Sequence, residues 1–352
     1  MDDEAHLRLQ SGIYLDPTHT PPPGFRLMVI DVAPGATRAR VHDALARIWA
    51  MLAELQAGIV RDLRATRDDE PDATICTKTV DALLGYGPSY FDPTRQLTDA
   101  AQPAHLAALA RPDGPFPGLI WGPQVPAKAG EGDLCLQLTG ASTHAANRAA
   151  VEVWKLIVDE ELPLNIRETY DGFARDDQRS WLGFHDGISN IRPSQRRAAV
   201  ECPGDPDWNR GGTYLAFLRC QIDLVAWRRL TRSQQEVLVG RDKLTGCALE
   251  AVDITNGTLV PQPFAGCPGA NGDLDSHHAF RDPPETGDPI IEASHVHRAN
   301  QNRAAPTSAA GHRIFRQGYR IPRIARPERA TPRSELHQLP ERPISPATDP
   351  RA

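Results

Sequence analysis

Between Arg26 and Val158 the spacing of apolar residues switches from strand-like to helix-like and back, which restricts the chain to a mixed α+β fold. Arg26 to Val32 reads as a buried strand. Beyond it Val41, Leu45, Ile48, Trp49, Leu52 and Leu55 recur in steps of three and four, the mark of a helix with one apolar face. Ala73 to Val80 is β-prone, and Leu134, Leu136 and Leu138 alternate as in a half-buried strand. Ala145 to Val158 is a second amphipathic helix, with Val151, Trp154 and Ile157 among its apolar positions. The order β-α-β-β-α suits an antiparallel sheet with helices on one face.

A similar pattern restarts at Gly211. Thr213 to Cys220 is expected to be a strand, and Asp223 can cap a helix carrying Leu224, Trp227 and Leu230. Thr231 and Gln234 stand at capping-box spacing for a further helix. Residues 250–290, rich in Pro, Gly, Asp and Asn, read as a long surface loop, and Arg313 to Tyr319 as another strand. The chain therefore divides into a proline-rich lead (1–24), an N-terminal α+β half (25–175), a C-terminal half of the same type (176–319) and a tail (320–352). The tail holds seven prolines and seven arginines against four acids and no aromatic residue, so it is expected to lack a packed core.

Composition removes several classes. Hydrophobic residues make up 40% and charged residues 24%, the balance of a globular protein, and the net charge of -6 provides no basic field for nucleic acid or anionic membrane. No apolar run reaches the length of a membrane span, and the acidic start shows no secretory signal. The six cysteines are scattered without a C-x-x-C pair, so neither a metal site nor a disulfide framework is expected, and a reducing, cytoplasmic address follows.

Three segments could carry chemistry. In Gly183-Phe184-His185-Asp186-Gly187 the Asp-Gly pair is a turn signal and Asp186 a candidate acid or base. In Ser294-His295-Val296-His297-Arg298-Ala299-Asn300 two histidines lie two apart; a strand would put them on one face, and a helix would separate them. In Arg313-Ile314-Phe315-Arg316-Gln317-Gly318-Tyr319 alternation sets Arg316 on the face opposite Phe315, where a guanidinium needs an anion or water.

Taken together, these segments give the chain a resemblance to the dye-decolorizing peroxidases. Gly183 to Gly187, within Trp181 to Asn190, matches that family's G-x-x-D-G signature; Ser294 to Asn300 matches its heme-ligand segment, and Arg313 to Gly318 its distal-arginine strand. Supporting matches are Gly85 to Phe91, Gly132-Asp133-Leu134, Gly211 to Leu215 with Arg219, and Gly240-Arg241 through Gly246. The resemblance runs from about Leu9 to Tyr319. It implies two ferredoxin-like halves, with one heme b per chain held mainly by the second. It further implies His295 as proximal ligand, Asp186 and Arg316 on the distal side, and Gly187, Ile188 and Ser189 against the cofactor. Hydrogen peroxide and a small-molecule reductant would be the partners, with Trp181 and Tyr319 as candidate electron-transfer aromatics. His297, His277 and His278 are the other candidate ligands, and Asp275, Asp282 and Glu292 the candidate partners of His295.

The match ends after Tyr319, where family members continue with a further strand, a helix and a closing segment. Two explanations stand side by side: a frameshift near codon 320, or divergence in which a partner subunit or domain swap supplies the missing elements. The second half is thus expected to be incomplete, and assembly into a homo-oligomer is left open. Two other functions follow from the same departure, a heme-binding or heme-handling protein without turnover and a ferredoxin-like interaction module that binds no heme.

Overall fold

The computed structural model describes residues 22–63, 80–103, 132–188, 190–191, 193–202, 204, 207–217, 220, 222–265, 267, 286–299 and 315–321. Strand β1 (Gly24–Val32) leads into helix α1 (Arg38–Gln56), then strands β2 (Val80–Tyr86) and β3 (Leu134–Gly140), helix α2 (Thr143–Asp159) and strand β4 (Leu164–Phe173). The four strands form one antiparallel sheet in the order β2-β3-β1-β4, with β1 central between β3 and β4. This is a ferredoxin-like unit, and the α+β class expected from the sequence holds. Thr37 and Ser142 cap the two helices through their side chains, as short hydroxyl residues do.

The continuous apolar run of β1 has a simple cause: both faces of the sheet are covered. Met28, Ile30 and Val32 pack with Leu134, Leu136, Leu138 and the inner faces of α1 and α2. On the opposite face Phe25, Leu27, Val29 and Tyr170 form a second cluster, covered by Phe217, Tyr319 and Ile321. The Tyr319 ring stacks on Phe25 at 4.3 Å, and Phe217 lies 4.9 Å from Tyr170. The C-terminal half therefore seals the face of the sheet that the helices leave bare.

Helices α3 (Pro193–Val200), α4 (Leu224–Arg229) and α5 (Arg232–Val239) follow. Asp223 caps α4, and Thr231 and Gln234 form both bonds of the expected capping box on α5. Strands β5 (Leu249–Thr255) and β6 (Thr258–Pro263) pair as a hairpin, and the short helices α6 (Pro289–Glu292) and α7 (His295–Arg298) lead back toward it.

Several expectations are corrected. Among the described residues 213–217 and 220 there is no strand; Phe217 instead packs against the sheet cluster of Phe25, Leu27, Val29 and Tyr170. Residues 315–319 form none either, although Arg320 makes an isolated antiparallel bridge to Phe173. The expected loop after 250 begins as the β5–β6 hairpin, turned at Asn256-Gly257, a pair suited to tight hairpin turns. Cys247 and Cys267 are joined by a disulfide with Cα atoms 6.1 Å apart, against the expectation of free thiols. In α2, Ile157 is buried as expected, but Val151 and Trp154 face solvent. Residues 73–79 of the expected strand ending at Val80, Ser189, Arg219, Asp275, His277, His278, Asp282, Arg313 and residues 322–352 lie outside the described residues.

Candidate active site

The G-x-x-D-G segment is a miniature hairpin. Arg179 and His185 bridge, the Ser180 amide donates to the Phe184 carbonyl (2.8 Å), and the Asp186 amide donates to the Gln178 carbonyl (2.9 Å). Gly187 closes it at φ 87°, a conformation that costs a residue with a Cβ. Arg179 docks this hairpin on the loop after α5, donating to the carbonyls of Gly183 (2.8 Å), Lys243 (2.6 Å) and Leu244 (3.1 Å). Lys243 lies over the Phe184 ring, and burial lowers its pKa. Burial, reinforced by Arg179, likewise lowers the pKa of His185 and keeps that imidazole neutral. Ile188 is buried beside the turn, while Gly187 is exposed.

Asp186 projects from the hairpin with its side chain about half exposed (47%) and pairs through Oδ2 with Nη2 of Arg320 at 3.1 Å. Arg320 is itself buried, with a side chain only 6% exposed, and donates from Nη1 to the Gly318 carbonyl at 2.8 Å. A Cβ on Gly318 would lie 2.6 Å from Asp186 Oδ2, so a larger residue there would push the carboxylate aside. That segment is also clamped by Asn190: the Arg316 amide donates to Oδ1 (3.0 Å), and Nδ2 donates to the Arg316 carbonyl (2.7 Å). The Arg316 side chain is exposed and Phe315 lies under Arg196, so the two diverge as alternation predicts.

The two histidines lie on α7 rather than on a strand, and a helix separates residues two apart. His297 points into the protein, where Nδ1 shares a hydrogen bond with Ser294 Oγ at 2.9 Å. His295 is exposed, and its ring has no hydrogen bond among the described residues. Partial burial, then the positive charges of Arg316 and Arg241, lower its pKa and hold the imidazole neutral. His295 and Arg316 therefore share one electrostatic neighbourhood. Glu292, one candidate partner of His295, accepts from the amide and hydroxyl of Thr286.

Of the candidate aromatics, Trp181 is 39% exposed and meets Phe173 edge-on at 5.8 Å. The Tyr319 hydroxyl is buried with no hydrogen-bond partner among the described residues, and burial pushes its pKa well up. Sequence reasoning missed three residues that contact the candidate segments. Arg320 was assigned to the tail, Asn190 was quoted in the signature without a role, and Arg179 carried no signal beyond lying a few residues before the motif.

The described residues thus join a ferredoxin-like sheet, a carboxylate hairpin and an exposed histidine near arginines. Residues 177–330 match the family model described as Dyp-type peroxidase, C-terminal, a span that includes Asp186, His295 and Arg316. The likeness to Dyp-type peroxidases by family model thus lies in this C-terminal segment. It is 28% identical over 214 residues to the dye-decolorizing peroxidase of Mycobacterium tuberculosis (strain ATCC 25618 / H37Rv), covering 60% of this chain and 54% of that protein. A deferrochelatase of Shigella flexneri is 27% identical over 133 residues, covering 34% of this chain and 31% of that protein. Among solved structures, ferric DtpA from Streptomyces lividans superposes with a TM-score of 0.54 at 23% identity, covering 69% of this chain and 67% of that one, a likeness of fold. The chain spans little more than half the length of the mycobacterial relative.

Proposed function

We propose that this chain is a heme-dependent peroxidase that reduces hydrogen peroxide and oxidises a bulky organic, phenolic or dye-like reductant, with one heme b per chain. The observation that carries the reading is the contrast between two neighbouring histidines. His297 is buried and bonded to Ser294, whereas His295 is exposed, neutral and free of hydrogen bonds among the described residues. A neutral imidazole is the ligating form, and the donor set therefore fits an iron porphyrin. Arg316 and Arg241 supply positive charge beside it, suited to the carboxylate groups of such a cofactor. Gly187, Ile188 and Ser189 are assigned to its border.

Bound heme would supply the redox centre at which peroxide is reduced. In this reading Asp186 would hold the proton of hydrogen peroxide and return it as water forms, with bound heme supplying the electrons for the reduction. Arg320 holds Oδ2, which leaves Oδ1 for that transfer. Arg316 places fixed positive charge where hydroperoxide and departing hydroxide carry negative charge. Trp181, the exposed aromatic beside the hairpin, is assigned to the passage of electrons from reductants too large to reach the centre. A cytoplasmic address belongs to this reading, and the Cys247–Cys267 bond pulls against it, since reducing compartments keep thiols free. No helix among the described residues is long and apolar enough to cross a membrane.

A second reading, a heme-handling protein without turnover, is favoured by the hold of Arg320 on the carboxylate that would move the proton. One experiment separates the readings: reconstitution with heme, followed by one equivalent of peroxide. A Soret band that converts to an oxidised species supports the peroxidase, and a stable band that ignores peroxide supports handling. Absence of any band overturns both in favour of an interaction module. His295→Ala should lose the ligated spectrum and His297→Ala should keep it; the reverse pattern would move the ligand to His297.

A further inference from the structure

The loop between α5 and β5 fastens both candidate segments. At its start a Cβ on Gly240 would collide with the side chains of Ser294 and Val296, so α7 rests directly on this glycine's backbone. Arg241 follows, buried, and its positive charge helps to lower the pKa of His295. The carbonyls of Lys243 and Leu244 then accept from Arg179 and dock the carboxylate hairpin. His295 and Asp186 thus stand on separate segments that are both held by residues 240–244.

Internal bonds make the loop a single piece. Asp242 Oδ1 accepts from the amides of Leu244 (3.0 Å) and Thr245 (2.7 Å), and the Asp242 amide donates to the Cys247 carbonyl (2.8 Å). Arg241 Nη1 donates to the Gly246 carbonyl (3.0 Å). At the far end Cys247 is bonded to Cys267, which lies beyond β6. The Phe264 amide donates to the Ala248 carbonyl at 2.9 Å, so opening the disulfide frees the end of the loop without parting the strands of the hairpin. Cys247 is buried and Cys267 half-buried, which gives a reductant access to the bond from the Cys267 side.

We propose that the Cys247–Cys267 bond is a reversible redox latch on this loop: closed, it holds α7 and the carboxylate hairpin in place, and open, it lets both loosen. In the opening step a thiolate of a small dithiol attacks Cys267 Sγ, the S–S bond breaks, and Cys247 leaves as a thiolate that takes a proton. The second thiol of the dithiol then displaces Cys267 and closes a cyclic disulfide, so two electrons have passed to the protein. In the closing step hydrogen peroxide oxidises the Cys267 thiol to a sulfenic acid and one water is released. The Cys247 thiol attacks that sulfur, the S–S bond forms and a second water leaves. Such a latch also reconciles the disulfide with a cytoplasmic address, where disulfides are transient and redox-sensing; this one point rests on the proposed function.

The test uses the full chain without cofactor, so its failure is distinguishable from failure of the peroxidase reading. Hydrogen exchange over minutes, read by mass spectrometry, compares three states. These are the oxidised chain, the chain reduced with dithiothreitol, and the reduced chain freed of dithiothreitol and given one equivalent of hydrogen peroxide. Alkylation with peptide mapping reports which cysteines are joined in each. Reduction should speed exchange in peptides covering 178–187 and 294–299 by about tenfold or more, because tethering a loop of this length favours its closed form by up to about a hundredfold. The peptide covering Gly24–Val32 opens only with the whole molecule and should stay protected in all three states. Peroxide should restore both the bond and the slow exchange. Cys267→Ser should show the reduced pattern with or without dithiothreitol. Free Cys247 and Cys267 before any reductant, unchanged exchange in the two peptides, or an equal loss of protection at Gly24–Val32 would each overturn the proposal. So would a bond that peroxide does not restore, or a response to dithiothreitol that persists in Cys267→Ser.

Discussion

Removing the Asp186 carboxylate should destabilise the apo protein through Arg320, and the size of that effect can be bounded. Asp186 Oδ2 lies 3.1 Å from a guanidinium whose side chain is 6% exposed. Among the described residues, Nε and Nη2 of Arg320 have no hydrogen-bond partner, so Asp186 supplies most of the compensation for a buried charge. Breaking a fully buried pair costs ~3–5 kcal/mol because a charge is stranded. Exposed pairs contribute ~0–1 kcal/mol. Here one partner is buried and the other is 47% exposed, so water can reach the pair from one side only, and a coupling of about 1–2 kcal/mol follows.

The assay is a double-mutant cycle by urea unfolding at neutral pH. Asp186→Ala should lose about 1–2 kcal/mol in the native background and much less in an Arg320→Met background, where no charge remains to be stranded. Arg320→Met alone can be neutral or stabilising without harming the argument, since hydrophobic replacement of a buried charge often is. Equal losses in the two backgrounds, giving a coupling below about 0.3 kcal/mol, would refute the reasoning and leave Asp186 free of a structural duty. The outcome matters for function: if the coupling is real, activity lost in Asp186→Ala includes disturbance of the 315–321 segment, and only Asp186→Asn reports on proton transfer.

Other predictions can be stated briefly. Asp133 is buried, and although burial alone would raise its pKa, donation from Arg95, the Val32 amide (2.8 Å) and Ser89 (2.7 Å) outweighs that and holds it below the usual carboxylate range. Asp133→Asn should therefore cost about 1.5–3 kcal/mol at pH 7. A depressed folded pKa gives stability that is present above the unfolded value of about 3.9 and lost as pH falls through the folded one, so the gap to wild type should narrow below about pH 4 in calorimetry; a gap constant with pH would contradict this. The Cys247–Cys267 bond closes a loop with a sequence separation of 20, for which chain entropy gives about 3 kcal/mol. Reductant or Cys267→Ser should lower the urea midpoint accordingly, and an unmoved midpoint would show that the bond does not form in solution. Thr231→Ala should lose about 1 kcal/mol of stability by removing the α5 capping box, read from the same midpoint.

The fold was legible where a residue's fate depends on its near neighbours. The apolar faces of β1, α1 and β3, the caps at Asp223 and Thr231 and the Asp-Gly turn are local signals, and each was met. Strand β4 went unread because its exposed face carries Asn165, Arg167 and Asp171 and only pairing with β1 makes it a strand. The apolar residues near Phe217 misled for the opposite reason, since they cover a sheet made elsewhere instead of joining one. In α2 the 3.6-residue period was right, but a helix with two apolar faces gives no sign of which one the sheet will take.

The site divides along the same line. Asp186, His295 and Arg316 were chosen as candidates only through their resemblance to a family's segments, each segment alone allowing a turn or surface reading. What the sequence did not show is that a helix turns the His297 ring inward to Ser294 and leaves that of His295 outside. Arg320 was the hardest to see. Composition averaged over 320–352 buried a single paired arginine among six others, whereas its bridge to Phe173 and its contact with Asp186 make it, with Ile321, part of the folded unit. A charged side chain is buried only where a distant partner receives it. The β4 strand end and the carboxylate hairpin therefore hold Arg320 past the point at which the sequence turns rich in arginine and proline.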